Sequence, residues 1–226
     1  MTAGRTRRAG PDLRVERRLL RSGIRRLGAM DEVGRGSPAG PVVVGVVVID
    51  AAVTPAPRGV RDSKLLTPQR REALVPAIEG WVCEWAIGRA DAVEVDSWGL
   101  TAALRLAGER ALALLVAPVD LVLLDGAHDW LTPPEPSGPG DAAKPASGVR
   151  PPVVTRVRAD RTCSSVAAAS VLAKVDRDAL MVGLSAHYPG YGWEDNKGYG
   201  TPAHLEAIGR LGPTPHHRTT WRISPV

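Results

Sequence analysis

The hydrophobic pattern along the chain alternates between short apolar runs and longer stretches with helical spacing. The short runs predict buried β-strands over residues 28–32, 41–49, 81–90, 119–124 and 153–157. Apolar residues three and four positions apart predict helices over residues 11–26, 68–79, 98–116, 164–188 and 202–211, with a shorter helix or turn over 91–96. Because strands come first and then alternate with helices, we expect an α/β domain. Its mixed central sheet is flanked by helices and followed by a small C-terminal helical segment.

Local signals define several boundaries and pairings in this pattern. Thr67 and Thr201 each precede a proline, which is typical of an N-cap followed by the first position of a helix. Pro76 is expected to kink or shorten the helix that contains it. The first two strands lie so close in sequence that they favour antiparallel pairing, whereas the run 119–124 is predicted to be a parallel strand.

Composition favours one large domain with a polyanionic partner. The chain has 226 residues, 44% of them hydrophobic, which is enough for an extensive core. A formal net charge of +5 and a pI of about 9.7 favour nucleic acid over membrane as a partner. No apolar run reaches the ~18 residues of a membrane helix, and two cysteines make no disulfide framework. We therefore predict a cytoplasmic protein, and the lack of an evident apolar stripe predicts a monomer.

The predicted domain organisation is a basic N-terminal arm with a short helix over residues 1–26, followed by one domain over residues 27–226. Arginines interrupt the helical pattern of the arm, so its helix either contacts a phosphate backbone or presents an ordinary solvated face. Residues 129–152 are dominated by Pro, Gly, Ser and Ala, which predicts a long loop inside the domain.

Acidic residues lie at the ends of three predicted strands. Asp31 and Glu32 close the first strand, Asp125 follows the fourth, and Asp160 follows the fifth. Sites in open α/β sheets gather beyond strand ends, where clustered carboxylates repel one another unless a cation lies between them. Oxygen ligands without His or Cys favour Mg²⁺ or Mn²⁺, and a pair of such ions suits in-line displacement at a phosphate.

Each of these acids also has an ordinary structural explanation. Asp160 suits a helix N-cap, Asp125 before Gly126 suits a turn, and an adjacent acidic pair suits a solvated surface. Neighbouring residues on a strand point to opposite faces, so Glu32 shares a site with Asp31 only if the strand ends there. The glycines that follow favour such an end.

Other candidate ligands suit a metal site less well. Asp178 lies 14 residues along the helix predicted to begin at Ser164, which places it about 20 Å from the start of that helix. We therefore assign Asp178 and its neighbour Asp176 to structure or solvent. His216 and His217 are adjacent and lie beside prolines, which favours loop structure over metal binding.

Taken together, the motifs resemble those of type 2 ribonuclease H, the ribonuclease HII family. They occur in family order and cover nearly everything from Gly28 to Trp221. The matching segments are Asp31-Glu32-Val33-Gly34-Arg35-Gly36, Gly40-Pro41, Asp62-Ser63-Lys64, Leu124-Asp125-Gly126, Asp160, the run from Ala167 to Lys174, Arg177-Asp178, Tyr188-Pro189, the run from Lys197 to Thr201, the run from Gly212 to Pro215, and His217-Arg218.

The resemblance implies the ribonuclease H fold. It also implies an endonuclease that hydrolyses the RNA strand of RNA–DNA hybrids and nicks duplex DNA on the 5′ side of embedded ribonucleotides. It further implies 3′-hydroxyl and 5′-phosphate ends, catalysis with two Mn²⁺ or Mg²⁺ ions, and a place in DNA replication and ribonucleotide excision repair. The catalytic and metal-binding residues that it implies are Asp31, Glu32, Asp125 and Asp160. The substrate-binding residues that it implies are Gly34, Arg35, Gly36, Ser63, Lys64, Lys197 and Tyr199.

The chemistry of these residue types suits the implied roles. The 2′-hydroxyl marks RNA at a given step, and recognising it without recognising the base requires close backbone approach, hence the loop of Gly34, Arg35 and Gly36. The ring of Tyr199 can pack on a sugar next to any base. Basic groups bind the neighbouring phosphates.

Two departures from the family pattern and two alternative functions stay open at this point. The family commonly has Lys-Gly before the fourth acid, where this chain has Arg158-Ala159, and the 129–152 loop is longer than usual. Another nuclease with the same carboxylate-rich fold, such as a resolvase or transposase core, needs only the acids; the Gly-Arg-Gly loop with Tyr199 favours ribose recognition instead. A non-catalytic hybrid-binding module needs none of the acids, so their presence at all four positions speaks against it.

Overall fold

The computed structural model describes residues 10–133 and 150–221. The strands in these ranges are β1 Leu27–Val33, β2 Val42–Ile49, β3 Glu84–Ala90, β4 Leu121–Asp125 and β5 Val153–Arg156. The helices in the same ranges are α1 Arg14–Arg21, α2 Pro68–Glu79, α3 Ala92–Trp98, α4 Leu100–Ala113, α5 Ala159–Thr162, α6 Ser164–His187, α7 Trp193–Asn196 and α8 Pro202–Leu211, with one 3₁₀ turn at Ser63–Leu65. Residues 1–9 of the predicted arm and 134–149 of the predicted loop lie outside the described residues.

The strands form one mixed sheet in the order β3-β2-β1-β4-β5. β1 pairs antiparallel with β2, and β2 pairs antiparallel with β3. β4 is parallel to β1 on one side and to β5 on the other. The short β1–β2 connection allows only antiparallel pairing, whereas α3 and α4 return the chain for a parallel one. The predicted α/β fold with a mixed sheet is therefore confirmed.

Helices cover both faces of the sheet because each face is apolar. The alanine-rich first half of α6 packs on one face, and α4 packs on the other. Gly45 and Gly88 on β2 and β3 allow this close packing: a Cβ atom on Gly45 would lie 2.6 Å from the carbonyl oxygen of Ala169, and one on Gly88 would overlap that of Ala107. Short side chains thus bring the start of α6 close to the strands that carry the acids.

Helix α1 packs against the same core with one face. Leu13 and Leu20 are buried in the cluster beneath α6. The buried carboxylate of Glu16 accepts hydrogen bonds from the N–H and the hydroxyl of Ser165 at 3.0 and 2.9 Å, so it caps the first turn of α6. The arginines of α1, such as Arg18, are exposed.

Some predicted boundaries shift in the structure. Pro76 does not shorten α2, which continues to Glu79. β3 begins three residues later than predicted, at Glu84, because Trp81 still belongs to the turn that ends α2, its N–H donating to Ile78 at 3.0 Å. No helix within the described residues is both long enough and apolar enough to cross a membrane.

Candidate active site

Asp31 and Asp125 lie side by side at the carboxyl ends of two parallel strands. The register of β1 and β4 ends at the pair Met30 and Leu124, and the two aspartates are the next residues. Asp31 is buried, with 3% of its surface exposed. Sites of open α/β sheets lie at this kind of edge, so the structure brings together the acids that the sequence predicted there.

Glu32 shares this site although its strand does not end there. β1 stays paired with β2 through Val33, so the expected strand end at Glu32 is wrong. The partner on the other side, β4, ends at Asp125 instead and leaves the β1 edge open. One Glu32 carboxylate oxygen accepts a hydrogen bond from Arg35 at 3.3 Å, and the other is buried without a hydrogen-bond partner among the described residues.

Asp160 lies in the one-turn helix α5, directly after β5 and before α6. One Asp125 oxygen accepts hydrogen bonds from the N–H groups of Ala159 at 2.6 Å and Asp160 at 3.3 Å. The left-handed backbone conformation at this corner belongs to Arg158, with φ of 57°, whereas Ala159 is helical and buried. The absence of a glycine before Asp160 therefore causes no backbone strain at Ala159.

Burial, together with neighbouring carboxylates, raises the pKa values of Asp31, Glu32 and Asp160. Burial raises the pKa of Asp31 well above its ordinary value, and the charges of Glu32 and Asp125 raise it further. Burial also raises the pKa of Glu32, against the lowering effect of Arg35. The pKa of Asp160 rises to about 6 through burial and the charge of Asp125. Asp31, Glu32 and Asp160 are therefore each close enough to Asp125 to feel its charge.

Lys64 is a second cation, besides Arg35, that faces this acidic cluster. Burial lowers its pKa, but the carboxylates of Asp31, Asp62, Asp160 and Asp125 outweigh that effect and leave the pKa raised. The buried Asp62 holds the segment in place, since its oxygens accept from the Lys64 N–H at 2.9 Å and from Arg161 at 3.1 Å. The neighbouring Ser63 hydroxyl is buried and shares a hydrogen bond with Ser170 at 2.8 Å.

Arg218 holds the backbone of the loop of Gly34, Arg35 and Gly36. Its guanidinium donates to the carbonyl oxygens of Gly34 at 2.7 Å, Gly40 at 3.0 Å and Arg35 at 3.1 Å. In a trans peptide the N–H points opposite to the preceding carbonyl, so the N–H groups of Arg35 and Gly36 face away from Arg218. Within the described residues, neither N–H donates to a protein acceptor.

Arg177 holds the far end of the same loop. This fully buried side chain donates to Pro41, Ser37, Ala39 and Lys197 at 2.9 to 3.0 Å. Arg177 and Arg218 lie in family motifs but were not among the predicted site residues. The position of Arg177 on the packed face of α6 could have indicated a structural role, since a buried charge needs several polar partners.

The remaining predicted substrate residues lie beside this loop. The half-buried Tyr199 ring has Lys174 Nζ at 5.0 Å and Arg177 Cζ at 5.1 Å from its centroid. Lys197 adopts a left-handed conformation with φ of 51°, and its ammonium donates to the carbonyl oxygen of Glu194. Since Arg177 contacts the Tyr199 ring and also donates to Ser37, Ala39 and Pro41, Tyr199 lies near the segment that follows the Gly-Arg-Gly loop.

The two acids on α6 form ion pairs away from the cluster. Asp176 pairs with Arg89, and Asp178 pairs with Lys174 at 2.7 Å and Arg71 at 3.3 Å. Their assignment to structure is confirmed.

The acidic cluster suits a hard divalent cation in its chemistry. Its donors are carboxylate oxygens, and one Glu32 oxygen is buried without a partner. In residues 10–133 and 150–221, no three His, Cys, Asp or Glu side chains already have the geometry of a closed metal site. Binding of a cation therefore requires the carboxylate side chains to rotate toward it.

The mixed sheet and the acidic edge define a nuclease of the ribonuclease H type. The chain belongs to the ribonuclease HII family, whose sequence model matches residues 27–224. It is a ribonuclease H endonuclease, and enzymes of this kind act on RNA–DNA hybrids. This family membership favours the predicted function over a resolvase or transposase core.

Proteins named as ribonuclease HII or ribonuclease H2 match this chain over most of its length. It is 42% identical over 212 residues to ribonuclease HII of Streptomyces coelicolor, covering 93% of this chain and 83% of that one. It is 44% identical over 211 residues to ribonuclease HII of Paracoccus denitrificans, covering 93% and 91%. The crystal structure of ribonuclease H2 from Pyrococcus horikoshii superposes with a TM-score of 0.64 and 25% identity, covering 88% of this chain and 94% of that chain.

Proposed function

We propose that the enzyme cuts the RNA strand of hybrids and also nicks duplex DNA on the 5′ side of single embedded ribonucleotides, leaving 3′-hydroxyl and 5′-phosphate ends. One observation carries this proposal: a cluster of four carboxylates, three of them close enough to Asp125 to feel its charge, lies beside a loop whose carbonyl groups are turned inward by Arg218. That loop leaves N–H donors free for a sugar or phosphate oxygen beside the acids.

Asp31, Glu32, Asp125 and Asp160 are the proposed ligands of two Mg²⁺ or Mn²⁺ ions. Such ions, when bound, supply an activated water and stabilise the departing 3′-oxygen. One solved relative, Bst-RNase HIII at 22% identity, was crystallised in complex with Mn²⁺. The Asp125 hydrogen bonds to α5 hold Asp160 at the same edge, so the residues of the chain supply both the ligands and their relative placement.

Recognition of the ribonucleotide is assigned to the backbone of the loop and to Tyr199. A Cβ atom on Gly36 would meet nothing within 4 Å, so a substrate can approach this backbone closely. The N–H groups of Arg35 and Gly36 suit the 2′-hydroxyl and the adjacent phosphate. Tyr199 is proposed to pack on the neighbouring sugar, with Lys64 near the phosphate at the cut.

Other elements of the proposal concern the whole chain. We propose that residues 27–226 form the catalytic domain and that α1 packs against it, as Leu13 and Leu20 indicate. The monomeric state, the cytoplasmic location and the role in replication and repair stay predictions from the sequence.

The first test uses a duplex with one ribonucleotide and compares wild type, Asp31→Asn and Asp176→Asn in Mn²⁺ or Mg²⁺. We expect cleavage by wild type and by Asp176→Asn, whose carboxylate lies in an ion pair away from the cluster. Asp31→Asn is expected to lose at least about 10²-fold in rate, which is the usual effect of removing one group that stabilises the charge of the transition state. Equal cutting by Asp31→Asn contradicts the mechanism.

The second test separates ribonucleotide recognition from hydrolysis. Tyr199→Ala is expected to slow cleavage at a single ribonucleotide more than cleavage of a long hybrid, because the long hybrid offers many contacts. Tyr199→Phe keeps the ring and is the matched control. An unchanged rate for Tyr199→Ala on the single-ribonucleotide duplex rejects the role of this ring.

A further inference from the structure

Two buried histidines lie behind the tyrosine that the proposed function assigns to the sugar. His204 on α8 and His217 in the following segment are 0% and 2% exposed. Their Nε2 atoms are 3.2 Å apart. Such a pair needs a defined arrangement of protons, since two facing ring nitrogens repel unless only one of them carries hydrogen.

The surrounding hydrogen bonds define that arrangement. Trp193 Nε1, which can only donate, donates to His204 Nε2 at 3.0 Å. His204 therefore carries its proton on Nδ1 and donates it to the carbonyl oxygen of Tyr199 at 2.9 Å. The Thr214 N–H donates to His217 Nδ1 at 2.9 Å, so His217 carries its proton on Nε2. There it shares the single lone pair of His204 Nε2 with the N–H of Trp193.

Both rings are neutral in this network. Burial lowers the pKa of His204, and burial together with His204 and His216 lowers that of His217 to about 4. A second proton on either ring would face the N–H of Trp193 or Thr214. The ring of Tyr191 also lies against His217, with the ring centroids 5.0 Å apart.

The pair connects the two parts of the proposed recognition site. On one side, the His217 segment pairs with the end of the glycine loop: Ala39 forms a β-bridge with His217, and the Gly40 N–H donates to His216 at 2.8 Å. On the other side, His204 holds the Tyr199 carbonyl, which also accepts from the Thr201 N–H at 2.8 Å. A shift in this pair therefore moves Tyr199 relative to the loop.

We infer that His204 and His217 are positioning residues that set the place of Tyr199 against the Gly-Arg-Gly loop and thereby the preference for a ribonucleotide. Neither side chain needs to contact the substrate, because both act through Tyr199 and Ala39. The inference rests on the proposed function, since it assumes that Tyr199 packs on the sugar.

The kinetic test compares His204→Ala with His204→Asn, whose amide nitrogen keeps a donor where Nδ1 was. The exposed His187, with Nδ1 at 3.2 Å from the carbonyl oxygen of Gly183, offers His187→Asn as the control. KM and kcat are measured on a single-ribonucleotide duplex and on a long RNA–DNA hybrid. We expect His204→Ala to raise KM for the single-ribonucleotide duplex roughly tenfold to a hundredfold, with a smaller change for the hybrid.

His204→Asn is expected to recover most of that loss, and His187→Asn to match wild type. Equal losses on both substrates, with Asn no better than Ala, indicate a general folding defect and overturn the inference. An unchanged preference in His204→Ala overturns it as well.

Two further measurements do not depend on catalysis. Long-range ¹H–¹⁵N correlation of the imidazoles is expected to show protonated Nδ1 on His204 and protonated Nε2 on His217 at pH 7. Hydrogen exchange of the Thr201 amide is expected to be faster in His204→Ala than in wild type. The opposite tautomers, or equal exchange, overturn the inference, whereas a wild type that cuts neither substrate rejects the proposed function alone.

Discussion

The guanidinium of Arg218 donates a hydrogen bond to the carbonyl oxygen of Gly34 at 2.7 Å, across 184 positions of sequence. Arg218 is fully buried, and within the described residues it forms no ion pair with Asp or Glu. Burial, with Arg177 nearby, lowers its pKa to about 10, which still leaves it charged at pH 7. Backbone carbonyl oxygens thus take the place of a carboxylate as its partners. Because the buried guanidinium needs these acceptors, the carbonyl groups of the loop must point toward Arg218.

Replacement of Arg218 by lysine is expected to destabilise the protein. An ammonium lacks the planar set of donors that reaches three carbonyl oxygens, so at least one buried acceptor loses its partner. We expect Arg218→Lys to lower the free energy of unfolding by about 2 kcal/mol, measured by urea denaturation. Arg210→Lys, at an exposed position, is the control and is expected to change it by less than about 0.5 kcal/mol. Wild-type stability in Arg218→Lys would show that the loop does not depend on this side chain.

The two glycines of the loop are expected to respond differently to alanine. Gly34 has a φ of 85°, and a Cβ atom there would lie 2.6 Å from the Pro41 carbonyl oxygen and overlap Arg177. Gly34→Ala should therefore lower the free energy of unfolding by about 2–3 kcal/mol. Gly36→Ala has open space and should fold normally. It should nevertheless raise KM for the single-ribonucleotide duplex, because its methyl group would lie where we propose that the sugar approaches. Thermal melting and steady-state kinetics on both variants separate these effects, and equal melting temperatures contradict the first prediction.

Divalent ions are expected to stabilise the folded enzyme. Burial and the charges of neighbouring carboxylates raise the pKa of Asp31, and the repulsion is relieved when a cation lies among the carboxylates. Saturating Mn²⁺ or Mg²⁺ should raise the melting temperature of wild type and of Asp176→Asn by a few degrees, roughly 1–2 kcal/mol. Asp31→Asn should gain less from the ion but melt above wild type in EDTA, because it lacks a buried repelling charge. An ion effect of the same size in Asp31→Asn argues against Asp31 as a ligand.

Acid is expected to weaken the fold through His217. Its folded pKa of about 4 lies below the ordinary 6.5, so the unfolded chain binds more protons between these values. Its contribution is therefore complete above pH 6.5 and is lost as pH falls toward 4, by an amount on the order of 3 kcal/mol.

The acids of the cluster act in the opposite direction, since the pKa of Asp160 is raised to about 6. The measurement is accordingly the difference between wild type and His217→Asn in the pH dependence of the free energy of unfolding. His187→Asn should follow wild type. Parallel curves for wild type and His217→Asn exclude a neutral buried His217.

Local signals in the sequence predicted much of the framework. Thr67 and Thr201 cap α2 and α8, as expected from the Thr-Pro pairs: their hydroxyl oxygens accept hydrogen bonds from the N–H groups of Arg70 and His204. The valine run of β2 pairs antiparallel with β1, and Asp31 and Asp125 meet at one sheet edge. These features depend on neighbouring residues and strand order, both of which a sequence displays directly.

The sequence by itself determined the α/β framework, the grouping of the acids and the family motifs. Only the tertiary structure decided how Glu32 reaches the site, because that depends on where β4 ends beside β1. It alone also decided that Arg218 turns the loop peptides and that His204 holds Tyr199. These contacts join residues far apart in the chain or depend on the protons of buried rings. Neither hydrophobic periodicity nor local propensity carries information about such partners.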